Sequence, residues 1–357
     1  TWYEGYQVGN VYNGNTSFSL NGSGSFNSSY STKCSFTGNL TVNRTGAGTT
    51  DLFGTGFNFI TGNFNFSNTV GGNTFINSSN VLNGPINGTV NITATGSGNP
   101  SFYLRKIKNL TGGGTISVQN SGYTLIQNDT LNVNTVNING FTGGSSDEMS
   151  GNVITGNVTF ADAATNTGSV YVGNNNIGGN TILSTNSASV WYESYSSSDT
   201  YFGNVTFNRN GTGPLYLSYS DTTYARQNLT INSNAGIDIN SSIEFTGSAN
   251  STIEQLGAQP IIMPRLIIRK TGTGSLTLED SVTVTTTASF ISGNINTSIG
   301  KELIFPNNIT YTGASTASHV VGPVVKIGDD TFVFPVGGPT SLNTVAMSAP
   351  VGAASRF

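Results

Sequence analysis

Residues 36–48 (FTGNLTVNRTGAG) align without gaps with residues 201–213 (YFGNVTFNRNGTG), and this repeated stretch decides the fold. Each copy holds two apolar side chains separated by one polar residue, as in Leu40 and Val42. A period of two places such a pair on one face of a β-strand and the Asn and Thr residues on the other. The Gly-x-Gly that follows supplies a turn. The stretch therefore predicts a short, half-buried strand that ends in a tight corner.

Looser copies of this pattern recur at irregular intervals, at residues 88–98, 156–160 and 265–278. A second short element occurs at residues 71–76 and again at 178–183. Irregular spacing argues against a propeller, whose blades have similar lengths, and favours a solenoid whose coils carry loops of different size. We expect an all-β, right-handed parallel β-helix with roughly 20 to 25 residues per coil and about 4.8 Å between coils. An array of β-sandwich domains is the alternative for strands this short.

The composition supports a β fold and excludes several functions. The 357 residues include 46 Asn, 46 Gly, 43 Ser and 49 Thr, and only 8% are charged. These residues are poor helix formers, which argues against a helical bundle. A net charge of −4 without a basic stripe argues against a nucleic-acid partner. Identical polar side chains stacked coil over coil are expected to form hydrogen-bonded ladders.

The pattern predicts two regions, a solenoid over residues 1–310 and a junction over residues 311–357. In the junction, Val324–Ile327 and Thr331–Phe334 flank a Gly-Asp-Asp turn, which predicts a hairpin. This hairpin either caps the solenoid or begins a β-sandwich. No apolar run approaches the roughly 20 residues needed to cross a bilayer, so we do not expect a membrane span. Neither end carries a start or stop signal, and we interpret the sequence as an excerpt with flanking domains in a longer chain.

Two stretches in and around the junction resemble a known family. Residues 320–338 (VVGPVVKIGDDTFVFPVGG), followed by 343–350 (NTVAMSAP), resemble a junction in large secreted surface proteins of gliding and environmental Bacteroidota. Residues 203–218, 227–232 and 266–285 are similar to the repeat regions of the same proteins. The resemblance implies a giant adhesin of gliding motility, exported by the type IX system to the extracellular, outer-membrane surface. The sorting domain expected at the C-terminus of such proteins is missing, which fits an excerpt.

The sequence contains few residues of the kinds that act in catalysis or bind metals. The single histidine, His319, lies beside the junction, and neither a Gly-x-Ser-x-Gly nor a His-Glu-x-x-His motif occurs. Acids adjacent in sequence, as at Asp147 and Glu148, point to opposite faces of a strand and make no catalytic pair. The lone Cys34 is expected to be a small buried hydrophobe. We therefore predict no catalytic residue, no metal site and no cofactor.

Aromatic residues are the better candidates for ligand contact, because exposed rings stack on sugar rings. The candidate ligand-binding residues are Trp191, Tyr192, Tyr195 and Tyr201. A smaller cluster comprises Trp2, Tyr3 and Tyr6. The alternative is that these rings face inward and fill wide coils, or that they cover a loop. Three further positions, in Asp-Ser/Thr-x contexts similar to Bacteroidota O-glycosylation acceptors, are Thr130, Thr222 and Ser281.

These observations favour a non-catalytic extracellular adhesin or fibre segment, a stiff rod whose many weak contacts bind by avidity. Its expected partners are an extracellular polysaccharide or an abiotic surface, the flanking domains of the longer chain, and further copies of itself. A pure stalk of a surface filament is the first alternative, and it predicts that the cluster around Trp191 is buried. A polysaccharide lyase or hydrolase of the β-helix class is the second. The basic candidates for such an enzyme are Arg105, Lys106, Lys108, Arg265, Arg269 and Lys270.

Overall fold

The computed structural model describes residues 1–5, 8–79, 82–98, 100–110, 112–143, 146–350, 352 and 355–357. The described residues form 45 short strands joined by turns and contain no helix. Parallel strands stack into a β-solenoid of about 14 turns, which confirms the all-β parallel β-helix prediction. No helix long and apolar enough to cross a membrane occurs in the described part of the chain.

The first of two compact units comprises residues 1–191 together with 211–213. Its strands are β1 (Trp2–Tyr3), β2 (Val11–Tyr12), β3 (Thr16–Leu20), β4 (Phe26–Asn27), β5 (Cys34–Phe36), β6 (Leu40–Arg44), β7 (Thr50–Leu52), β8 (Phe57–Ile60), β9 (Phe64–Asn68), β10 (Thr74–Ile76), β11 (Pro85–Ile86), β12 (Val90–Ala94), β13 (Phe102–Arg105), β14 (Lys108–Asn109), β15 (Thr115–Gln119), β16 (Thr124–Gln127), β17 (Thr130–Leu131), β18 (Thr135–Phe141), β19 (Asp147–Ser150), β20 (Val153–Ile154), β21 (Asn157–Asp162), β22 (Val170–Gly173), β23 (Asn176–Ile177) and β24 (Thr181–Thr185). Every third strand pairs in parallel, so β1, β2 and β3 each begin a separate sheet. We call these the first, second and third sheets.

The interior of this unit is built from the apolar pairs that the sequence pattern identified. In the third sheet, Leu40 lies in register with Phe64, and Phe64 with Val90. All three side chains are buried, as are Val42 and Ile92. Stacking apolar side chains coil over coil removes them from water continuously along the solenoid, which is its main stabilising force.

The second unit comprises residues 192–210 and 214–357, and the chain enters it within β25 (Trp191–Tyr192). Its strands are β26 (Asp199–Tyr201), β27 (Val205–Arg209), β28 (Leu215–Leu217), β29 (Thr223–Ala225), β30 (Leu229–Ser233), β31 (Asp238–Ile239), β32 (Ser242–Gly247), β33 (Ser251–Gln255), β34 (Ile261–Lys270), β35 (Leu276–Leu278), β36 (Val282–Ser292), β37 (Ile295–Asn296), β38 (Leu303–Phe305), β39 (Thr310–Thr312), β40 (Val320–Val321), β41 (Val324–Lys326), β42 (Phe332–Phe334), β43 (Val336–Gly338), β44 (Ser341–Leu342) and β45 (Val345–Met347). The same parallel stacking applies, except that β36 pairs with both β38 and β39. This 11-residue strand thus spans the length that two shorter strands occupy.

The junction differs from the sequence prediction in its pairing. β41 does not pair with β42: it adds in parallel to β38, and β42 pairs antiparallel with β45. The predicted hairpin between Val324–Ile327 and Thr331–Phe334 is therefore wrong. An open parallel edge leaves N–H and C=O groups unpaired, and β41 satisfies them on β38 rather than folding back on its neighbour. An antiparallel hairpin does form further along, between β43 and β44.

Two of the sequence repeats are not structurally equivalent. Residues 265–278 begin in β34 of the second sheet, whereas the other copies form strands of the third sheet. The element at residues 71–76 leads into β10 of the first sheet, and its partner at 178–183 leads into β24 of the third. An alternating pattern specifies a strand with one buried face, but it does not specify which side of the coil that strand occupies.

A Gly-Asn pair forms the corner before the third sheet in successive coils. The backbone N–H of Asn63 donates to Oδ1 of Asn39 at 2.8 Å, 24 residues earlier, and the N–H of Asn39 donates to Oδ1 of Asn15. The preceding glycines stack so closely that a Cβ on Gly62 would lie 2.7 Å from the backbone of Gly38. The predicted polar ladders are therefore present, with side-chain oxygens accepting mainly from the backbone of the next coil.

Candidate functional site: two equivalent tyrosine sites

Trp191 lies inside the first unit. Its side chain is 1% exposed and packs between Phe141 and Phe160, with ring centroids 5.9 and 5.7 Å away. The indole Nε1 donates a hydrogen bond of 3.1 Å to Oδ2 of Asp162. A ring in this position is part of the core, which matches the alternative of an inward-facing aromatic.

Tyr201 is also fully buried, and its hydroxyl donates to Oε1 of Glu193 at 3.1 Å. Oε2 of the same carboxylate accepts from the hydroxyl of Thr223 at 2.6 Å and from the backbone N–H of Ser218 at 2.8 Å. Glu193 itself is only 1% exposed. Because its three hydrogen-bond partners lie on different segments, this carboxylate links those segments of the second unit. A buried carboxylate is tolerated when several donors replace its water.

Four tyrosine rings contact one another close to Glu193 in the chain and in the next coil, and three of them are half-buried. Tyr192 stacks on Tyr216 at 5.6 Å and meets Tyr219 edge-on at 4.6 Å. Tyr195 stacks on Tyr219 at 6.0 Å and is 41% exposed. The structure therefore brings two of the sequence candidates, Tyr192 and Tyr195, into contact with Tyr216 and Tyr219. The last two were not among the candidates predicted from the sequence.

The same arrangement occurs a second time, around Glu4 in the first unit. Oε1 of Glu4 accepts from the hydroxyl of Tyr12, and Oε2 from the backbone N–H of Ser29. Sγ of Cys34 lies 3.0 Å from Oε2. These three partners follow Glu4 by 8, 25 and 30 residues, as Tyr201, Ser218 and Thr223 follow Glu193.

Two exposed tyrosine rings also lie close to Glu4 in the chain and in the next coil. Tyr3 and Tyr30 contact at 4.5 Å and are 44% and 46% exposed. They correspond to Tyr192 and Tyr219 of the other copy. Trp2 is 56% exposed, although one edge packs on Phe26 at 5.5 Å. Tyr6 lies outside the described residues.

Left-handed turns set the position of the rings in both copies. Ser29, Ser194 and Ser218 have φ values of 49°, 51° and 47°, and Gly5 has 66°. Non-glycine residues rarely adopt this conformation, and it persists where the surroundings enforce it. The hydrogen bonds from the backbone N–H groups of Ser29 and Ser218 to the buried carboxylates provide that enforcement.

The duplication of the tyrosine site is visible in the sequence. Residues 2–6 (WYEGY) and 191–195 (WYESY) differ at one position only. Each stretch is recognisable from the sequence as an aromatic cluster, and their alignment reveals the duplication. The partners supplied by the next coil, such as Tyr219, carry no such local signal.

Burial shifts the pKa values of the groups around the two glutamates. Burial raises the pKa of Glu193 above its ordinary value, and its hydrogen bonds oppose that rise. Burial and the charge of Glu193 together raise the pKa of the Tyr201 phenol. Burial, with a contribution from Glu4, raises the pKa of the Cys34 thiol to about 11. Cys34 is thus a buried thiol that donates to a carboxylate, in line with its expected structural role.

The remaining candidates lie apart from these tyrosine sites. Asp147 is buried while Glu148 faces outward, as expected for strand neighbours. His319 is buried, with ring nitrogens 3.0 Å from the carbonyl oxygen of Ser315 and 2.7 Å from that of Gly338. The residues that the structure describes contain no cluster of three or more potential metal ligands.

Among the proposed acceptors of glycans, Thr130 is exposed and Thr222 is half-buried. Ser281 donates to Oε2 of Glu302 at 2.9 Å, and its oxygen accepts from the backbone N–H of Glu302 at 3.0 Å. Of the three, Thr130 is therefore the most accessible position.

The basic candidates are dispersed. Arg105 lies over the ring of Tyr103 at 4.7 Å and donates to the carbonyl of Ser78. Lys270 is buried, and its ammonium donates to the carbonyl oxygens of Arg226 and Thr246. The other four are Lys106, which has a φ of 51°, the exposed Lys108 and Arg265, and Arg269, which pairs with Glu244.

Comparison of the chain with models of known protein families, with characterised proteins and with solved structures finds no match.

Proposed function

We propose that this chain is a segment of an extracellular, non-catalytic adhesin whose two tyrosine sites bind polysaccharide. The proposal rests on one arrangement that occurs in both compact units: a buried glutamate, with the same spacing to its partners, next to contacting tyrosines of which at least one is exposed. The resemblance of residues 320–350 to junctions of Bacteroidota surface adhesins supports display at the outer-membrane surface after type IX export. Repetition supports avidity, because two weak sites on one chain hold a polymer more tightly than either site does.

The physical cost of the tyrosine sites supports a binding role. Each site buries a carboxylate and holds residues at positive φ, both of which cost free energy of folding. The result is a set of rings held rigidly at the surface rather than in the core. Tyrosine suits sugar recognition, since its face is apolar and its hydroxyl forms hydrogen bonds.

The test is retention on immobilised cellulose, chitin, dextran and polystyrene. We would compare the wild type with Tyr195→Ala/Tyr219→Ala, with Tyr3→Ala/Tyr30→Ala and with the quadruple variant. Each double variant should raise the half-saturating concentration about three- to tenfold on the surface that the protein binds, and the quadruple variant further. Tyr123→Ala, which removes a half-exposed ring outside both sites, is the matched control.

Equal binding by the wild type and the quadruple variant would contradict the proposal. Retention on none of the surfaces would favour the second candidate function, a structural stalk. The observation that favours a stalk is the burial of Trp191 and Tyr201, although Tyr195 of the same cluster is exposed.

A further inference from the structure

A groove of about 480 Å³ runs along the outer face of the second sheet in the second unit. Side chains of Thr200, Tyr224, Arg226, Thr246 and Arg269 line it. They come from successive coils and present hydroxyl groups, one phenol ring and two guanidinium groups. None of these residues belongs to a tyrosine site.

Arg226 is fixed in place without a carboxylate. Its guanidinium lies 4.0 Å from the centre of the Phe202 ring, and its aliphatic stem passes 3.6 Å from where a Cβ of Gly247 would be. Among the described residues, no acidic side chain forms an ion pair with Arg226. A guanidinium that stacks on a ring keeps its N–H groups directed outward at its edge.

Arg269 is the second guanidinium of the groove. Its Nε donates to Oε1 of Glu244 at 2.6 Å, and Glu244 is 7% exposed whereas Arg269 is 53% exposed. The buried carboxylate therefore holds one edge of the guanidinium and leaves the rest of the side chain at the surface. Arg269 lies in register with Thr246, and Ala225 with Phe245, so Arg226 and Thr246 are the next residues along their two adjacent strands. The two arginine backbones are thus separated by two coil spacings, roughly 10 Å.

We propose that this groove binds the acidic groups of an anionic polysaccharide, with Arg226 and Arg269 each engaging a carboxylate or sulfate. Guanidinium pairs with such groups through two parallel hydrogen bonds, which a neutral sugar cannot form. The ring of Tyr224 and the hydroxyls of Thr200 and Thr246 suit the sugar between two acidic groups. Two guanidinium groups do not favour a nucleic acid, whose binding depends on many cations.

The test compares polygalacturonate with its fully methyl-esterified form, and dextran sulfate with dextran. The wild type should bind one acidic polymer at least tenfold more tightly than its neutral counterpart, and added salt should weaken that binding. The pair that shows the difference identifies the acidic group as carboxylate or sulfate. Arg226→Met keeps the stem on Phe202 and removes the charge, so it should abolish most of the preference. Arg226→Lys should give an intermediate affinity.

Lys108→Met removes one charge at an exposed position of the first unit and is the matched control. Equal affinity for acidic and neutral polymers would overturn the inference, as would a preference that Arg226→Met leaves intact or Lys108→Met reduces equally. Because the tyrosine variants keep both arginines, loss of one kind of binding is distinguishable from loss of the other.

Discussion

At the scale of single residues, the position of each polar partner decides which aromatic rings reach the surface. Trp191 is held inside by Asp162, and Tyr201 by Glu193, because a buried indole N–H or phenol O–H requires an acceptor. Tyr195 belongs to the same aromatic stretch of sequence as Trp191 and Tyr201, and yet its side chain is exposed. Neighbours in sequence therefore have opposite roles, one as core and one as surface.

This difference predicts the quenching of the two tryptophans. Trp2 is 56% exposed and Trp191 is 1% exposed, so iodide should quench only Trp2. In Trp191→Phe, which leaves Trp2 as the single tryptophan, the quenchable fraction of fluorescence should approach all of it. In Trp2→Phe it should approach none. Efficient iodide quenching of Trp2→Phe would show that Trp191 reaches solvent.

At the scale of the structural element, the Gly-Asn corner explains much of the unusual composition. Glycine is required where one corner lies against the next, since a Cβ on Gly38 would lie 2.4 Å from the backbone of Gly14. Asparagine follows because its side-chain oxygen accepts the N–H of the coil beside it. Charged side chains are rare at such positions because like charges about 5 Å apart would repel.

Removing one asparagine of this ladder should weaken the solenoid locally. Asn39→Ala leaves the N–H of Asn63 without its acceptor and should lower the free energy of unfolding by about 1 to 2 kcal/mol. Asn43→Ala is the control, since Asn43 is exposed on β6, the strand that follows Asn39, and should change stability by less than about 0.5 kcal/mol. Urea unfolding of both variants measures the difference. Equal effects would show that the ladder contributes no more than an exposed amide.

At the scale of the whole molecule, buried carboxyl groups govern how stability depends on pH. Burial and the nearby charge of Asp162 raise the pKa of Asp147 to about 7. The hydrogen bond that Asp147 accepts from the N–H of Thr124 lowers this pKa and so opposes part of the rise. Burial also raises the pKa of Asp129 and that of Glu193. Between about pH 4 and 7 the unfolded chain has released the Asp147 proton while the folded protein retains it. The protonated Asp147 therefore adds its full contribution to stability below about pH 4. That contribution is lost as the pH rises through about 7, where the folded protein also releases the proton.

We expect the urea midpoint to fall between about pH 4.5 and pH 8, and Asp147→Asn to reduce that fall. An amide has no proton to lose, so the variant should be more stable than the wild type at about pH 8, by up to about 4 kcal/mol. At about pH 4.5 the two should differ little. Asp238→Asn, at an exposed position, should leave the pH profile unchanged. A profile for Asp147→Asn that parallels the wild type would contradict this assignment.

Much of the fold follows from local sequence. The alternation at Leu40 and Val42, the Gly-x-Gly turns, the irregular spacing of the repeats and the composition were sufficient to predict a parallel β-helix with polar ladders. They are sufficient because a strand's buried face and a corner's backbone geometry depend on residues adjacent along the chain. Of the four predicted ligand residues, Tyr192 and Tyr195 lie at the surface cluster, and Trp191 and Tyr201 lie in the core.

Only the tertiary structure decided the rest. It placed β41 on β38 instead of β42, brought Tyr219 onto Tyr195, and aligned Arg226 with Arg269. Each of these contacts joins residues from different coils, and the choice among coils depends on which edges and buried polar groups remain to be satisfied. Composition and alternation repeat in every coil and so cannot distinguish one partner from another, whereas hydrogen bonding and packing in the assembled coils can.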